Sequence, residues 1–162
     1  MLLAVLSDSH DNIWKLAQAL ERVRHADGLL FCGDFCAPFT LQQIAEGFAG
    51  PIHAVFGNND GDRFLLTRIA SRFPHVTLHG EVARLELGGL RIALHHYPEV
   101  AEHLAASGSF DAVFYGHDHR HRIARVGSCD LINPGEIMGR FGRSTCVLYD
   151  TETRTAETLE VA

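Results

Sequence analysis

Aspartate, asparagine and histidine recur in this chain in short clusters, each placed where an apolar run stops. Leu2 to Leu6 leads into Asp8-Ser9-His10, Leu29 to Cys32 into Gly33-Asp34, and Ile52 to Phe56 into Gly57-Asn58-Asn59-Asp60. Farther on, Ile92 to Leu94 leads into His95-His96, and Ala112 to Tyr115 into Gly116-His117-Asp118-His119. Histidine is in excess, with 11 in 162 residues. Taken singly, each cluster has a plain structural reading. Gly57-Asn58-Asn59 suits a left-handed turn, and a histidine pair is more often packed than ligating. His117-x-His119 says more, because an i, i+2 spacing in extended chain sends both rings to one side. Together the clusters point to one place, since ligands of α/β sheets bind outside the carboxyl ends of the strands.

The residue types select the chemistry. Carboxylate and amide oxygens with imidazole nitrogens, and no thiolate among them, suit Mn, Fe, Zn, Co or Ni in an oxygen- and nitrogen-rich site. The donors outnumber those of one tetrahedral ion and fit two ions sharing a carboxylate. Two metals ~3.5–4 Å apart clamp the attacking and leaving oxygens of a displacement at phosphorus. They also bring the pKa of bound water towards ~7, which yields a hydroxide nucleophile without a serine or cysteine. Neither a Gly-x-Ser-x-Gly elbow nor a phosphate-binding glycine loop is present to argue for other chemistry.

The elements that must position these loops follow from periodicity. Leu2–Leu6, Leu29–Cys32, Ile52–Phe56 and Ala112–Tyr115 read as short buried strands. Helices are expected after Asp11 or Asn12, over Leu41–Phe48 before Gly50-Pro51, over Asp62–Phe73 and over Glu99–Ala106. The first half thus alternates strand and helix, the pattern of a parallel sheet. Val82–Leu87 and Arg91–Leu94 around Gly88-Gly89 read as a hairpin, and the remainder is strand-rich. The fold expected is α/β, a four-layer αββα sandwich of two mixed sheets flanked by helices, in a single domain over 1–162.

Composition sets the outer limits. Apolar residues make up 46% and charged residues 21%, with a net charge of −6 and a pI near 6.0. That balance excludes a disordered chain and argues against nucleic acid held by bulk positive charge. No apolar run reaches the ~20 residues of a membrane helix, and Met1–Leu6 lacks the basic start of a signal peptide. A cytoplasmic location is expected. Cys32 and Cys146 read as small core residues, while Cys36 follows a loaded loop.

The ordered set Asp-x-His, Gly-Asp, Gly-Asn-x-Asp, His and Gly-His-x-His resembles the calcineurin-like metallophosphoesterase superfamily. The short length, Gly57-Asn58-Asn59-Asp60 and the late Asn133-Pro134-Gly135 make the chain similar to its small stand-alone bacterial and archaeal phosphodiesterases. The resemblance runs from Leu3 to about Tyr149. It implies the αββα fold and a dinuclear centre of two divalent transition metals, manganese foremost. Asp8, His10 and His119 would hold the first metal, Asn58, His95 and His117 the second, and Asp34 would bridge them. The implied activity is hydrolysis of a small or medium phosphodiester. A phosphomonoesterase or nuclease with the same site, or a protein-binding scaffold of the retromer-subunit type, are the alternatives. Relatives often self-associate, so a homo-oligomer fits.

The chain departs from the family pattern at three places. His96 stands where many relatives have glycine. Asn59 replaces a histidine assigned as an acid in many phosphatases, which leaves Asp60 and His96, beside Asn58, as the nearest catalytic substitutes. Glu136 follows the Asn-Pro-Gly turn where serine is frequent. A carboxylate facing the mouth would repel polyanions, with Arg140 and Arg143 placed to offset it.

Overall fold

The computed structural model describes residues 1–161. The chain runs β1 (Leu2–Leu6), α1 (Ile13–Val23), β2 (Gly28–Phe31), α2 (Pro38–Gly47), β3 (Ile52–Ala54), α3 (Arg63–Ala70) and β4 (Val76–Leu78). There follow β5 (Val82–Leu87), β6 (Leu90–His95), α4 (Pro98–Ala106), β7 (Ala112–Phe114), β8 (Arg122–Val126), β9 (Cys129–Asn133), β10 (Thr145–Asp150) and β11 (Thr155–Glu160). They form a six-stranded sheet ordered β11-β10-β1-β2-β3-β4 and a five-stranded sheet ordered β5-β6-β7-β9-β8. Both are mixed. β1 to β4 are parallel to one another, as are β6, β7 and β9, while the remaining pairs are antiparallel.

Strand alternation sorts the core into layers. Ala4, Leu6, Leu29 and Phe31 pack with Leu16, Leu20, Leu41, Ile44 and Leu66 from α1, α2 and α3. Leu3, Val5 and Leu30 face the other sheet, where they meet Ile92, Leu94, Ala112 and Phe114. Ala93 and Val113 point outward against Ala101 and Ala105 of α4. The result is the expected helix–sheet–sheet–helix sandwich. Asn12 caps α1, its side chain accepting from the N–H of Lys15. The helix expected from Leu41 begins earlier, because Pro38 fits the first helical turn. The hairpin turns at Gly88 and Gly89, with φ of 55° and 78°. Strand β4 is too short for its periodicity to stand out. Cys32 and Cys146 lie in the core as expected, and no helix among the described residues is long and apolar enough to cross a membrane.

Candidate metal centre

The parallel strands of both sheets end at one edge, and the loops that follow them meet there. Asp8 and His10 follow β1, Asp34 follows β2, Asn58 follows β3, His96 follows β6, and His117 and His119 follow β7. Backbone hydrogen bonds stitch the loops together. The Asp8 N–H donates to Gly33 O at 3.0 Å, His10 N–H to Asp34 O at 3.0 Å, Gly116 N–H to His96 O at 3.0 Å and Met138 N–H to Asp8 O at 3.0 Å. Among the described residues, seven of the eight non-glycine residues with positive φ lie in these loops: Asp8, His10, Asp11, Asp34, Cys36, His117 and His119, at 41–74°. Left-handed backbone at such residues costs roughly 1–3 kcal/mol each and persists only where the surroundings enforce it. Gly116 illustrates how closely the loops pack. A Cβ there would lie 2.5 Å from Asp8 Oδ2, with Ser7 closer still.

The side chains form two groups of donors. In the first, Asp8 Oδ1 lies 3.6 Å from His10 Nε2 and 3.6 Å from His119 Nε2. In the second, Asn58 Oδ1 lies 3.0 Å from His96 Nε2 and 2.8 Å from His117 Nδ1. Asp34 Oδ2 stands between them, 3.4 Å from His10 Nε2 and 3.4 Å from His96 Nε2. Asp8, Asp34 and His96 are buried, and His10 and His119 are partly so.

This constellation fits divalent cations. Asp8 Oδ1 and His10 Nε2 are buried without a hydrogen-bond partner, which would be costly unless an ion joined them. The second group makes the same point. His96 Nδ1–H donates to Cys32 O at 2.8 Å, so the Nε2 lone pair of the neutral ring faces the Asn58 and Asp34 oxygens. Only a metal ion or a proton reconciles them. Burial opposes charge on His10 and His96, but the carboxylates of Asp8 and Asp34 outweigh it and raise both pKa values above the ordinary imidazole value. Asp34 is held well below the usual carboxylate range: burial works against the charge, and His96 and Asn59 overcome it.

Several residues singled out in the sequence lie elsewhere than expected. His95 does not join the cluster. Its Nδ1 accepts the Tyr97 N–H at 3.0 Å, and burial lowers its pKa. The reason is strand parity: Ile92 and Leu94 face the inter-sheet core, so the imidazole continuing that face is at 96, whereas 95 follows Ala93 towards the α4 side. His96 therefore sits among the donors instead of waiting outside them as an acid. Asp60 has both carboxylate oxygens engaged by backbone donors. Its Oδ2 accepts from the N–H groups of Asp34 (3.1 Å) and Gly57 (2.6 Å), and its Oδ1 from that of Cys36 (2.7 Å). Burial raises its pKa against these donors, and its role is to tie the β2 and β3 loops together. Glu136 does not face the mouth. It is fully buried, and its Oε2 lies 2.6 Å from His119 Nδ1. Arg140 lies over Phe141 and Arg143 pairs with Glu160, so neither grips the centre.

Some residues that build the centre were marked in the sequence for other reasons. Asn59 donates from its backbone N–H to Asp34 Oδ1 at 2.8 Å and from Nδ2 to Asp34 Oδ2 at 2.8 Å. Asp11 Oδ1 accepts from Ala37 N–H and Thr40 Oγ, anchoring the β1 loop to the start of α2. Asn133 Nδ2 donates to Gly116 O and Asp118 Oδ1. Its Asn-Pro-Gly context marked the position but not the partner.

An αββα sandwich whose strand ends gather two oxygen-and-nitrogen donor groups around a shared carboxylate has the architecture of a metal-dependent phosphoesterase. Comparison with known proteins agrees, for the chain belongs to the calcineurin-like phosphoesterase superfamily, whose domain model matches residues 1–154. Its class is thus that of an enzyme hydrolysing phosphoric esters. It is 30% identical over 159 residues to a phosphodiesterase of Methanocaldococcus jannaschii, covering 95% of each chain. A solved archaeal phosphodiesterase superposes with a TM-score of 0.92 at 28% identity, covering 99% of each chain. The Vps29 protein of Entamoeba histolytica shares the fold at a TM-score of 0.71 and 18% identity over the full length of both chains.

Proposed function

We propose that the protein is a phosphodiesterase that depends on two divalent metal ions. The observation carrying this reading is the place of Asp34, whose Oδ2 stands 3.4 Å from a ring nitrogen of each donor group. In this reading Asp8, His10 and His119 would hold one ion, Asn58, His96 and His117 would hold the other, and Asp34 would serve both. The donor set, rich in oxygen and imidazole, suits manganese, iron, zinc, nickel or cobalt, and the likeness to the family puts manganese first. When bound, such ions supply Lewis-acid activation of water and neutralise charge on the phosphoryl oxygens.

The chain's own residues keep the donors in place. Glu136 and the Cys32 carbonyl each accept a ring N–H, from His119 and His96 respectively, and so point the opposite nitrogen of each ring into the centre. Asn59 and Asp60 fix the Asp34 carboxylate and the loops on either side of it. With both amide groups of Asn59 engaged by Asp34, position 59 has no imidazole with which to protonate a leaving alkoxide. The diesterase activity named for the relative from Methanocaldococcus jannaschii favours a diester over a monoester as substrate.

The test is a chelator-stripped preparation assayed on bis(4-nitrophenyl) phosphate and 4-nitrophenyl phosphate, with manganese, cobalt, nickel or zinc restored in turn. Turnover should require metal, and kcat/KM should be higher for the diester. Metal-independent turnover, or a preference for the monoester, would overturn the proposal.

A further inference from the structure

Beside the metal centre lies a trough of about 460 Å³ whose wall includes His119, so the centre and the trough share a side chain. Packed edge-to-face against it is Phe141, 69% exposed, its ring perpendicular to that of His119 with centroids 5.2 Å apart, so the two rings form one wall. An aromatic ring left this open beside a reactive centre is not serving the core, and the Arg140 guanidinium 5.1 Å from its centroid adds positive charge to it. Arg120 and Arg143 line the same trough. Arg143 is bound only by an exposed pair to Glu160 at 3.3 Å, a contact that competes weakly with an incoming anion. The far side is polar, where His121 Nε2 and Thr158 Oγ lie 2.7 Å apart.

One buried side chain sets the position of the trough relative to the centre. Glu136 Oε2 meets His119 Nδ1 at 2.6 Å, while its Oε1 accepts from the N–H groups of Phe141 at 2.6 Å and Gly142 at 2.9 Å. The donor histidine and the loop carrying the aromatic wall thus hang from the two oxygens of one carboxylate. A fixed distance between the reacting phosphorus and a stacking surface is what a substrate with a planar group near its phosphate requires.

We infer that this trough is a nucleoside subsite, and that the diester hydrolysed carries a nucleoside on at least one of its esters. The inference rests on the phosphodiesterase reading of the adjoining centre. The nucleobase stacks on Phe141, the sugar hydroxyls meet the His121 and Thr158 side, and Arg120 and Arg143 attract further negative charge. The volume lies within the range of small-ligand sites, and base–aromatic stacking tolerates any base because every base offers a π-face.

Binding tests the subsite apart from turnover. Titration calorimetry of the manganese-loaded protein would compare adenosine 5′-monophosphate with methyl phosphate, which has the phosphate but no nucleoside. The wild type should bind the nucleotide at least about tenfold more tightly, the scale of one base–aromatic stack. Phe141→Ala should shrink that gap to about threefold or less, and Phe141→Trp should restore it; the exposure of the side chain makes both changes compatible with folding. Equal affinities in the wild type, or a gap that survives Phe141→Ala, would overturn the subsite. Hydrolysis of bis(4-nitrophenyl) phosphate, measured on the same preparation, separates the two ideas. Diester turnover without nucleotide preference removes the subsite alone, whereas nucleotide preference without diester turnover leaves the subsite standing and removes the phosphodiesterase reading.

Discussion

At residue scale, two adjacent histidines face different ways. His96 Nε2 lies 3.0 Å from Asn58 Oδ1, whereas His95 spends its Nδ1 on the Tyr97 N–H. His96→Ala should therefore weaken binding of the second manganese ion by tenfold or more, while His95→Ala should change it by less than about threefold. Competition with a fluorescent chelator reads both, and equal losses would contradict the assignment. The same rings predict a direction with pH. His10 and His96 have pKa values raised by the neighbouring carboxylates, so in the metal-free protein they hold protons above the ordinary imidazole pKa of ~6.5. A metal ion must displace those protons. Apparent affinity should consequently rise between pH 6 and pH 8 and flatten above the raised pKa values; an affinity independent of pH over that interval would show that these imidazoles are not ligands. The donor types that gather at this edge, and their order along the chain, follow from the sequence. The parity of Ile92 and Leu94 places position 96 on the donor side, whereas the resemblance was carried over onto 95.

The element scale explains why loops of such strained backbone hold still. Each site loop leaves a buried parallel strand and, in most cases, enters a helix, so both of its ends are fixed by the core. Gly57 is where the β3 loop passes closest to Asp34: a Cβ there would lie 2.6 Å from the Asp34 nitrogen and 2.8 Å from its Cγ, with a carboxylate oxygen nearer still. Gly57→Ala should push the bridging carboxylate out of place and lower manganese affinity by about tenfold or more, while the core, which does not use this position, keeps the protein folded. Chelator competition alongside circular dichroism checks both halves, and unchanged metal affinity would contradict the close approach. The strand-to-loop order could be read from apolar runs ending in Asp, Asn and His. The cross-loop partners could not, because Asp60 reaches Cys36 and Glu136 reaches His119 across separations that no local pattern encodes.

Over the whole molecule, the two sheets are pinned together at the edge away from the centre. Tyr149 of β10 donates its hydroxyl to Asp130 Oδ2 of β9 at 2.7 Å, and Arg154 Nε donates to the same oxygen at 2.9 Å. Arg154 Nη2 also reaches the carbonyls of Asp111 and Ser128, each at 2.7 Å. Asp130→Ala would leave the buried Tyr149 hydroxyl without its partner and take one of several from Arg154, and should destabilise the protein by about 2 kcal/mol, or roughly 4–8 °C in Tm. Manganese affinity should hold, because the pin and the centre occupy opposite ends of the strands; a parallel loss of affinity would contradict that separation. The sandwich itself followed from periodicity, since alternating strands and helices followed by a hairpin leave few other packings. This inter-sheet pin did not, as nothing in the order of residues marks Asp130 and Tyr149 as neighbours. The claim on which the rest depends is that one edge of the sandwich holds two metal ions around Asp34. Anomalous diffraction from crystals of the manganese-loaded protein measures it directly. Two peaks ~3.5–4 Å apart are expected, one beside Asp8, His10 and His119, the other beside Asn58, His96 and His117, with Asp34 touching both. A single peak, or a second one ligated by His95, would contradict it.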